Sequence, residues 1–234
     1  MDTQTRHALK SDSFAQATAA SVDWLSEHRS GALRWVIGSV VVLAVVVGGL
    51  VCWKLRSQAA ATALNAALDT YSTPLAQPGA PAVPGTYATA AERAKVAHQQ
   101  FADVAAKYSL TPEATRAHYF AGVTAADLGQ NGSAESELKI AAGAMDHDVA
   151  NLAKLALATL YHQTSRDSQA EEQFNQIIAK PSETVTANTA KLDLADLYNA
   201  EGRQDQARKI WAQIKDADKD GIAGAIAGQK LGSH

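Results

Sequence analysis

The sequence predicts an all-α protein in which a single transmembrane helix precedes a solenoid of helical hairpins. Three observations carry this expectation. Alanine supplies 49 of the 234 residues and aromatic residues only 6%. Alanine is the strongest helix former and lets helix backbones approach closely, whereas sheets draw on β-branched and aromatic side chains. Eight valines crowd between Val36 and Val51, so the chain divides into unlike parts. Beyond about residue 115, small and large residues recur at fixed positions.

The membrane segment comes first. Residues 35–53 read WVIGSVVVLAVVVGGLVCW, with no charge between Arg34 and Lys54. A helix of that length spans about 28 Å, close to the hydrocarbon thickness of a bilayer. Trp35 and Trp53 stand at its two ends, where amphipathic rings prefer the headgroup level, and Arg34 and Lys54 can reach outward from the edges. These four residues are the expected membrane-interface anchors. A buried core helix is a poor alternative, because a core helix of a small protein normally keeps a polar face. A cleaved signal peptide is a closer rival, with small residues at Gln58-Ala59-Ala60-Ala61. The 34 residues before the apolar run and the length of the run itself argue against it. Residues 1–34 carry Arg6, Lys10, Arg29 and Arg34, against Lys54 and Arg56 on the other side. The positive-inside rule then gives a cytoplasmic N-terminal arm and places the bulk of the chain across the membrane.

Residues 54–86 are expected to form a stalk and a linker. Leu64, Leu68 and Tyr71 make one apolar stripe at helical spacing, and Pro74, Pro78, Pro81 and Pro84 with Gly79 and Gly85 preclude a helix. Residues 87–234 are expected to form the repeat domain. A first helix is predicted over about 87–108. Thr111-Pro112-Glu113 is a helix start, with a capping hydroxyl, proline at the first position and an acid in the first turn.

Three frames follow, starting at Thr115, Asn151 and Asn188. Position 8 holds Gly122, Ala158 and Ala195; position 20 holds Ala134, Ala170 and Ala207. Position 24 holds Leu138, Phe174 and Trp211, and position 27 holds Ala141, Ile177 and Ile214. Tyr161 and Tyr198 occupy position 11, and Gly129 and Gly202 occupy position 15. This is a packing code. Small residues at 8 and 20 let two helices cross closely, large residues fill the space around the crossing, and glycine at 15 permits the turn. The segment 222–234 is expected to supply a short helix whose Ile222, Ile226 and Leu231 cover the last repeat, since a solenoid's terminal face is otherwise apolar.

The code resembles the tetratricopeptide repeat family, whose unit is a helix–turn–helix of about 34 residues. The resemblance covers about 115–221, and implies a tetratricopeptide-like helical-repeat solenoid. Lys154 and Lys191 replace the aromatic usual at position 4, and the frames are spaced by 36 and 37 residues. The whole layout also looks like that of bacterial membrane-anchored, tetratricopeptide-like ancillary subunits of the secretion translocon. The residues that carry this likeness are Asp23-Trp24-Leu25-Ser26-Glu27-His28, Trp53-Lys54, Leu194-Ala195-Asp196-Leu197-Tyr198 and Gly202-Arg203-Gln204-Asp205-Gln206-Ala207. It implies a protein of the bacterial inner membrane with a periplasmic repeat domain. The implied partners are the translocon channel and periplasmic chaperones. A scaffold of another envelope complex, such as cell-wall synthesis or outer-membrane assembly, is the alternative.

The chemistry expected of the chain is non-enzymatic. A net charge of −3 gives no basic surplus for a phosphate backbone, so nucleic acid is not an expected partner. The lone Cys52 excludes an internal disulfide and any cysteine-rich metal site. No nucleophile elbow and no phosphate loop occurs, and neither a cofactor nor a small-molecule substrate is expected. Asp146-His147-Asp148 reads as a solvated turn. Asp216-Ala217-Asp218-Lys219-Asp220-Gly221 starts like a calcium loop, but Ala227 stands where the twelfth-position acid is required. Asn131-Gly132 is expected to form an interhelical turn. A concave surface built from first helices is the expected protein-binding face, with Lys154, His162, Lys191, Asp193 and Asn199 as candidate contacts.

Overall fold

The computed structural model describes residues 29–76 and 85–233, with side chains from Arg34 onward. The N-terminal arm with its Asp23–His28 motif, and Pro78, Gly79, Pro81 and Pro84 of the linker, lie outside the described residues. Nine helices are seen among those described: α1 (Arg29–Ser72), α2 (Ala90–Lys107), α3 (Pro112–Asp127), α4 (Asn131–Ala142), α5 (His147–Gln163), α6 (Asp167–Ala179), α7 (Ala187–Ala200), α8 (Gln204–Ala217) and α9 (Ile222–Ser233). The protein is all-α there, apart from one isolated parallel bridge between Leu75 and Tyr87. The chain forms two units, 1–55 and 56–234.

In the first unit, α1 exposes its apolar side chains throughout, from Trp35 at 80% to Trp53 at 48%. It is long and apolar enough to cross a bilayer, and none of its most apolar stretch is buried in protein. A core helix would bury that surface, so the core-helix reading is removed. The length and composition of a signal sequence remain compatible with the same helix.

In the second unit, consecutive helices from α2 to α9 pack each against the next, and α3 also meets α5. This is a stack of hairpins of the helical-repeat kind. The expected stripe of α1 packs here: Leu64, Leu68 and Tyr71 join Phe101, Val104 and Phe120 in one apolar cluster. Phe101 and Phe120 stack with ring centroids 5.2 Å apart. Arg56 donates to the Lys107 carbonyl at the end of α2. The Ser57 hydroxyl donates to Glu113 Oε2 at 2.9 Å.

The first helix of each frame starts on a side-chain cap. Thr111 accepts from the Ala114 amide, Asp146 from the Asp148 and Val149 amides, and Thr186 from the Thr189 amide. These caps satisfy amides that a helix start otherwise leaves without partners. The second helices, α4, α6 and α8, have no such cap. They emerge instead from one repeated turn. The amides of Gln130, Arg166 and Arg203, at position 16, donate to the carbonyls of Ala125, Tyr161 and Tyr198, at position 11, over 2.9, 2.7 and 2.8 Å. Position 15 takes a left-handed backbone in all three frames: Gly129 φ 72, Ser165 φ 58 and Gly202 φ 78. The bond closing over a left-handed residue is the Schellman geometry that ends a helix. Gly129 therefore makes the turn in the first frame, and Asn131 already belongs to α4.

The packing code is realised in burial. Positions 8, 20, 24 and 27 are buried in every frame, with Leu138, Phe174 and Trp211 as the large residues at 24. At Gly122 the crossing is tighter than elsewhere. A Cβ there would lie 2.5 Å from Leu138 Cγ, so position 24 rather than position 20 makes the closest approach.

The end of the stack differs from expectation in detail. α9 packs on α8 and α7, and the expected Leu231 packs part-buried against the core, but Ile222 is 82% exposed, and the buried residues of the helix are Gly224 and Ala227. The reason is the close turn before it. A Cβ on Gly224 would sit 1.9 Å from the Asp218 carbonyl oxygen, so only glycine fits that contact. The Asp218 carboxylate accepts from the Gly224 amide at 3.1 Å and holds the start of α9.

Candidate protein-binding groove

The first helices α3, α5 and α7 share two adjoining hollows. One, of about 350 Å³, is lined by Leu155, Ala158, Thr159, His162, Phe174, Asp193, Asp196 and Leu197. The other, of about 370 Å³, adds Tyr119, Val123 and Asp127 from α3 to Leu155 and Thr159, which belong to both. Positions 5 and 9 of the first two frames (Tyr119, Val123, Leu155, Thr159) and position 9 of the third (Asp196) therefore form one groove. Its walls are mainly aliphatic and aromatic.

Two of the five candidate contacts lie in it, His162 and Asp193. Lys154 and Lys191, at position 4, and Asn199 are half-buried on the same helices and line neither hollow. Of the anchors, Arg34, Trp35, Trp53 and Lys54 are all exposed on α1. Position 4 was expected to contribute because it lies on the first helices that build a solenoid's concave face. The spacing of Tyr119 with Val123 and of Leu155 with Thr159, four residues apart on one face of their helices at the edge of the core, was the available signal for the groove.

The charged groups facing the groove are acidic, and no lysine or arginine lines it. Asp127 Oδ2 accepts from the Tyr71 hydroxyl at 2.8 Å. Burial and that carboxylate push the Tyr71 phenol up to about 12. Both Asp196 oxygens lie 2.9 Å from Lys230 Nζ. His162 Nδ1 lies 2.6 Å from Asp167 Oδ1. Asp193 is different. Among the described residues no hydrogen bond or ion pair reaches it. Burial, and then the neighbouring Asp196 charge, push its carboxyl above the usual range despite Lys230 nearby.

Between successive hairpins runs a motif that sequence reasoning missed. Glu135 Oε1 accepts from the Tyr161 hydroxyl at 3.2 Å, and Glu135 Oε2 from Arg166 Nη1 at 2.7 Å. One frame later, Glu171 Oε1 accepts from the Tyr198 hydroxyl at 2.6 Å, and Oε2 from Arg203 Nη1 at 2.9 Å. Each arginine also lies over its tyrosine ring, at 4.5 and 3.9 Å from the centroid. In frame terms, tyrosine 11 and arginine 16 of one repeat grip glutamate 21 of the repeat before. Hydrogen bonds from Lys139 and Arg166 pull Glu135 down to about 2. Burial pushes Glu171 up, but the bonds from Tyr198 and Arg203 outweigh it and leave it lowered.

The acidic stretches serve the backbone. Asp146 caps α5, and Asp148 Oδ1 accepts from the Thr184 amide at 2.9 Å. Among the described residues, no three His, Cys, Asp or Glu side chains gather in a way that could hold a metal ion. The groove offers shape, apolar surface and negative charge, which is equipment for binding. No protein-family model, curated protein or solved structure matches the chain.

Proposed function

We propose that this chain is a membrane-tethered protein-interaction scaffold of tetratricopeptide-like build. Residues 35–53 cross the bacterial inner membrane, residues 1–34 lie in the cytoplasm, and the repeat domain stands in the periplasm. It acts beside the secretion translocon, receiving partners such as the channel or periplasmic chaperones. The observation that carries the scaffold reading is the groove shared by α3, α5 and α7, an apolar surface that repeats along the stack. The exposed apolar length of α1 supports the tether. The four-against-two excess of Lys and Arg before the apolar run supports the orientation. The translocon setting rests on the layout and repeat motifs of the sequence. His162 and Asp193 contribute from inside the groove, with Lys154, Lys191 and Asn199 as further contacts on α5 and α7.

The experiment is crosslinking in native membranes followed by capture of the tagged full chain. Recovery of the translocon channel is the expected result. Recovery of a cell-wall synthase or an outer-membrane assembly factor in its place sinks the translocon assignment and keeps the scaffold. Protease added from the periplasmic side should digest the repeat domain; protection there reverses the orientation.

A further inference from the structure

We propose that the groove takes a partner segment bearing a lysine or arginine among apolar side chains, with its cation seated against Asp193. This rests on the protein-binding reading above and names the chemistry of the occupant.

The argument is charge complementarity inside an apolar groove. Leu155, Ala158, Phe174 and Leu197 line the hollow on α5, α6 and α7 and suit an apolar occupant. The carboxylates there are Asp193 and Asp196, with no basic residue among the lining groups. Asp196 already holds Lys230, and His162 already holds Asp167. Asp193 has no partner of its own among the described residues and sits partly desolvated beside a second carboxylate.

An occupant that covers the groove removes more water from Asp193. A purely apolar segment would then bury the Asp193 charge further with only Lys230, already held by Asp196, to offset it, which is unfavourable. An acidic segment would add repulsion from two carboxylates. A cationic group makes a charge-assisted hydrogen bond in a site of lowered dielectric. The groove thus discriminates by charge as well as by shape.

The test uses the full chain in detergent micelles and fluorescent leucine-rich peptides that differ at one central residue: lysine, glutamine or glutamate. The lysine peptide should bind best and the glutamate peptide worst, with the lysine preference shrinking as salt rises. Asp193→Asn should weaken the lysine peptide about 10-fold to 100-fold, the size of one lost hydrogen bond to a charged group. It should leave the glutamine peptide no weaker. The variant should fold with an unchanged or raised Tm, because it removes a carboxylate that burial disfavours. Thr159→Trp, which fills the exposed middle of the groove, should abolish all peptide binding. If Asp193→Asn binds the lysine peptide as the wild type does while Thr159→Trp abolishes it, the cation proposal is overturned and the groove stands. If Thr159→Trp leaves peptide binding intact, the groove itself is not the site and the proposal falls with it. The native-membrane crosslinks then judge the scaffold reading separately.

Discussion

Ser165 shows how one residue pays for a turn that its neighbours make freely. It takes φ 58 at the position where the other two frames carry Gly129 and Gly202. A left-handed backbone costs a residue with a Cβ about 1–2 kcal/mol, and glycine almost nothing. Ser165→Gly should therefore stabilise the domain by roughly 1 kcal/mol in urea unfolding, after the entropy of the more flexible unfolded chain is subtracted. Gly202→Ala should destabilise it by a similar amount; an unchanged midpoint in both variants would show that position 15 carries no strain. Gly122 makes a second residue-scale case. The next two frames hold Ala158 and Ala195 at its position, yet a Cβ on Gly122 would meet Leu138 Cγ at 2.5 Å and the Leu138 amide nitrogen at 3.1 Å. The side chain can move but the backbone cannot do so cheaply. Gly122→Ala should lose about 1–3 kcal/mol, the usual cost of overpacking, and its added loss should be smaller in a chain that already carries Leu138→Ala. Position 15 was legible in the sequence because two of its three residues are glycine. The clash at Gly122 was not, because residue size alone does not say which residue of the facing helix comes closest.

The joints between hairpins belong to the scale of elements. Tyr161, Arg166 and Glu135 close one joint, and Tyr198, Arg203 and Glu171 close the next. The series stops there, since position 21 of the last frame is Arg208; Lys230 and Asp196 tie α9 to α7 instead. The Glu135 carboxyl titrates at about 2 in the folded protein against 4.5 without these partners. Its contribution is thus complete above about pH 4.5 and is lost as pH falls towards 2. Glu135→Gln should flatten that acid limb in a stability–pH profile while leaving the slope above pH 5 unaltered. At the second joint, the double loss from Glu171→Gln with Arg203→Gln should fall short of the sum of the two single losses, as it does for residues in contact. Additive losses would mean that the joint is held by packing alone. All six residues stood in plain view at fixed frame positions. Their partnership was hidden because each glutamate lies 26 to 32 residues from its partners. Periodicity arguments look within a helix or within one hairpin. Core positions were readable in that way; contacts from one repeat to the next were not.

At the scale of the whole molecule, the chain joins two solvent preferences. The second unit buries its large residues at the frame positions that hold the stack together, and the first exposes a run of valines that water disfavours. Composition made this division legible, because the valine run has no polar face and the repeats do. The closing of the stack by α9 was legible in part. Leu231 packs against the core as its spacing suggests, but the buried residues are Gly224 and Ala227, chosen by a tight turn at Asp218, while the bulkier Ile222 points outward. If the valine run is the tether, charge placed at its middle must act on location and not on folding. Val42 and Val46 lie one turn apart on α1, both exposed and both outside the repeat unit. An arginine at mid-membrane depth costs about 2.5–3.5 kcal/mol on insertion scales, and two share no ready partner there. Val42→Arg with Val46→Arg should therefore move the chain from the carbonate-resistant membrane pellet towards the soluble fraction. The urea midpoint of the repeat domain should stay where it was. Retention in the pellet by the doubly charged chain would remove residues 35–53 as the anchor, and a shifted midpoint would mean that the run belongs to the fold after all. N-terminal sequencing of the wild-type chain from the pellet and from the soluble fraction adds the remaining discrimination. A start beyond Gln58-Ala59-Ala60-Ala61 would identify the run as a removed signal, whereas an intact start with carbonate resistance leaves the valines in the bilayer as the tether.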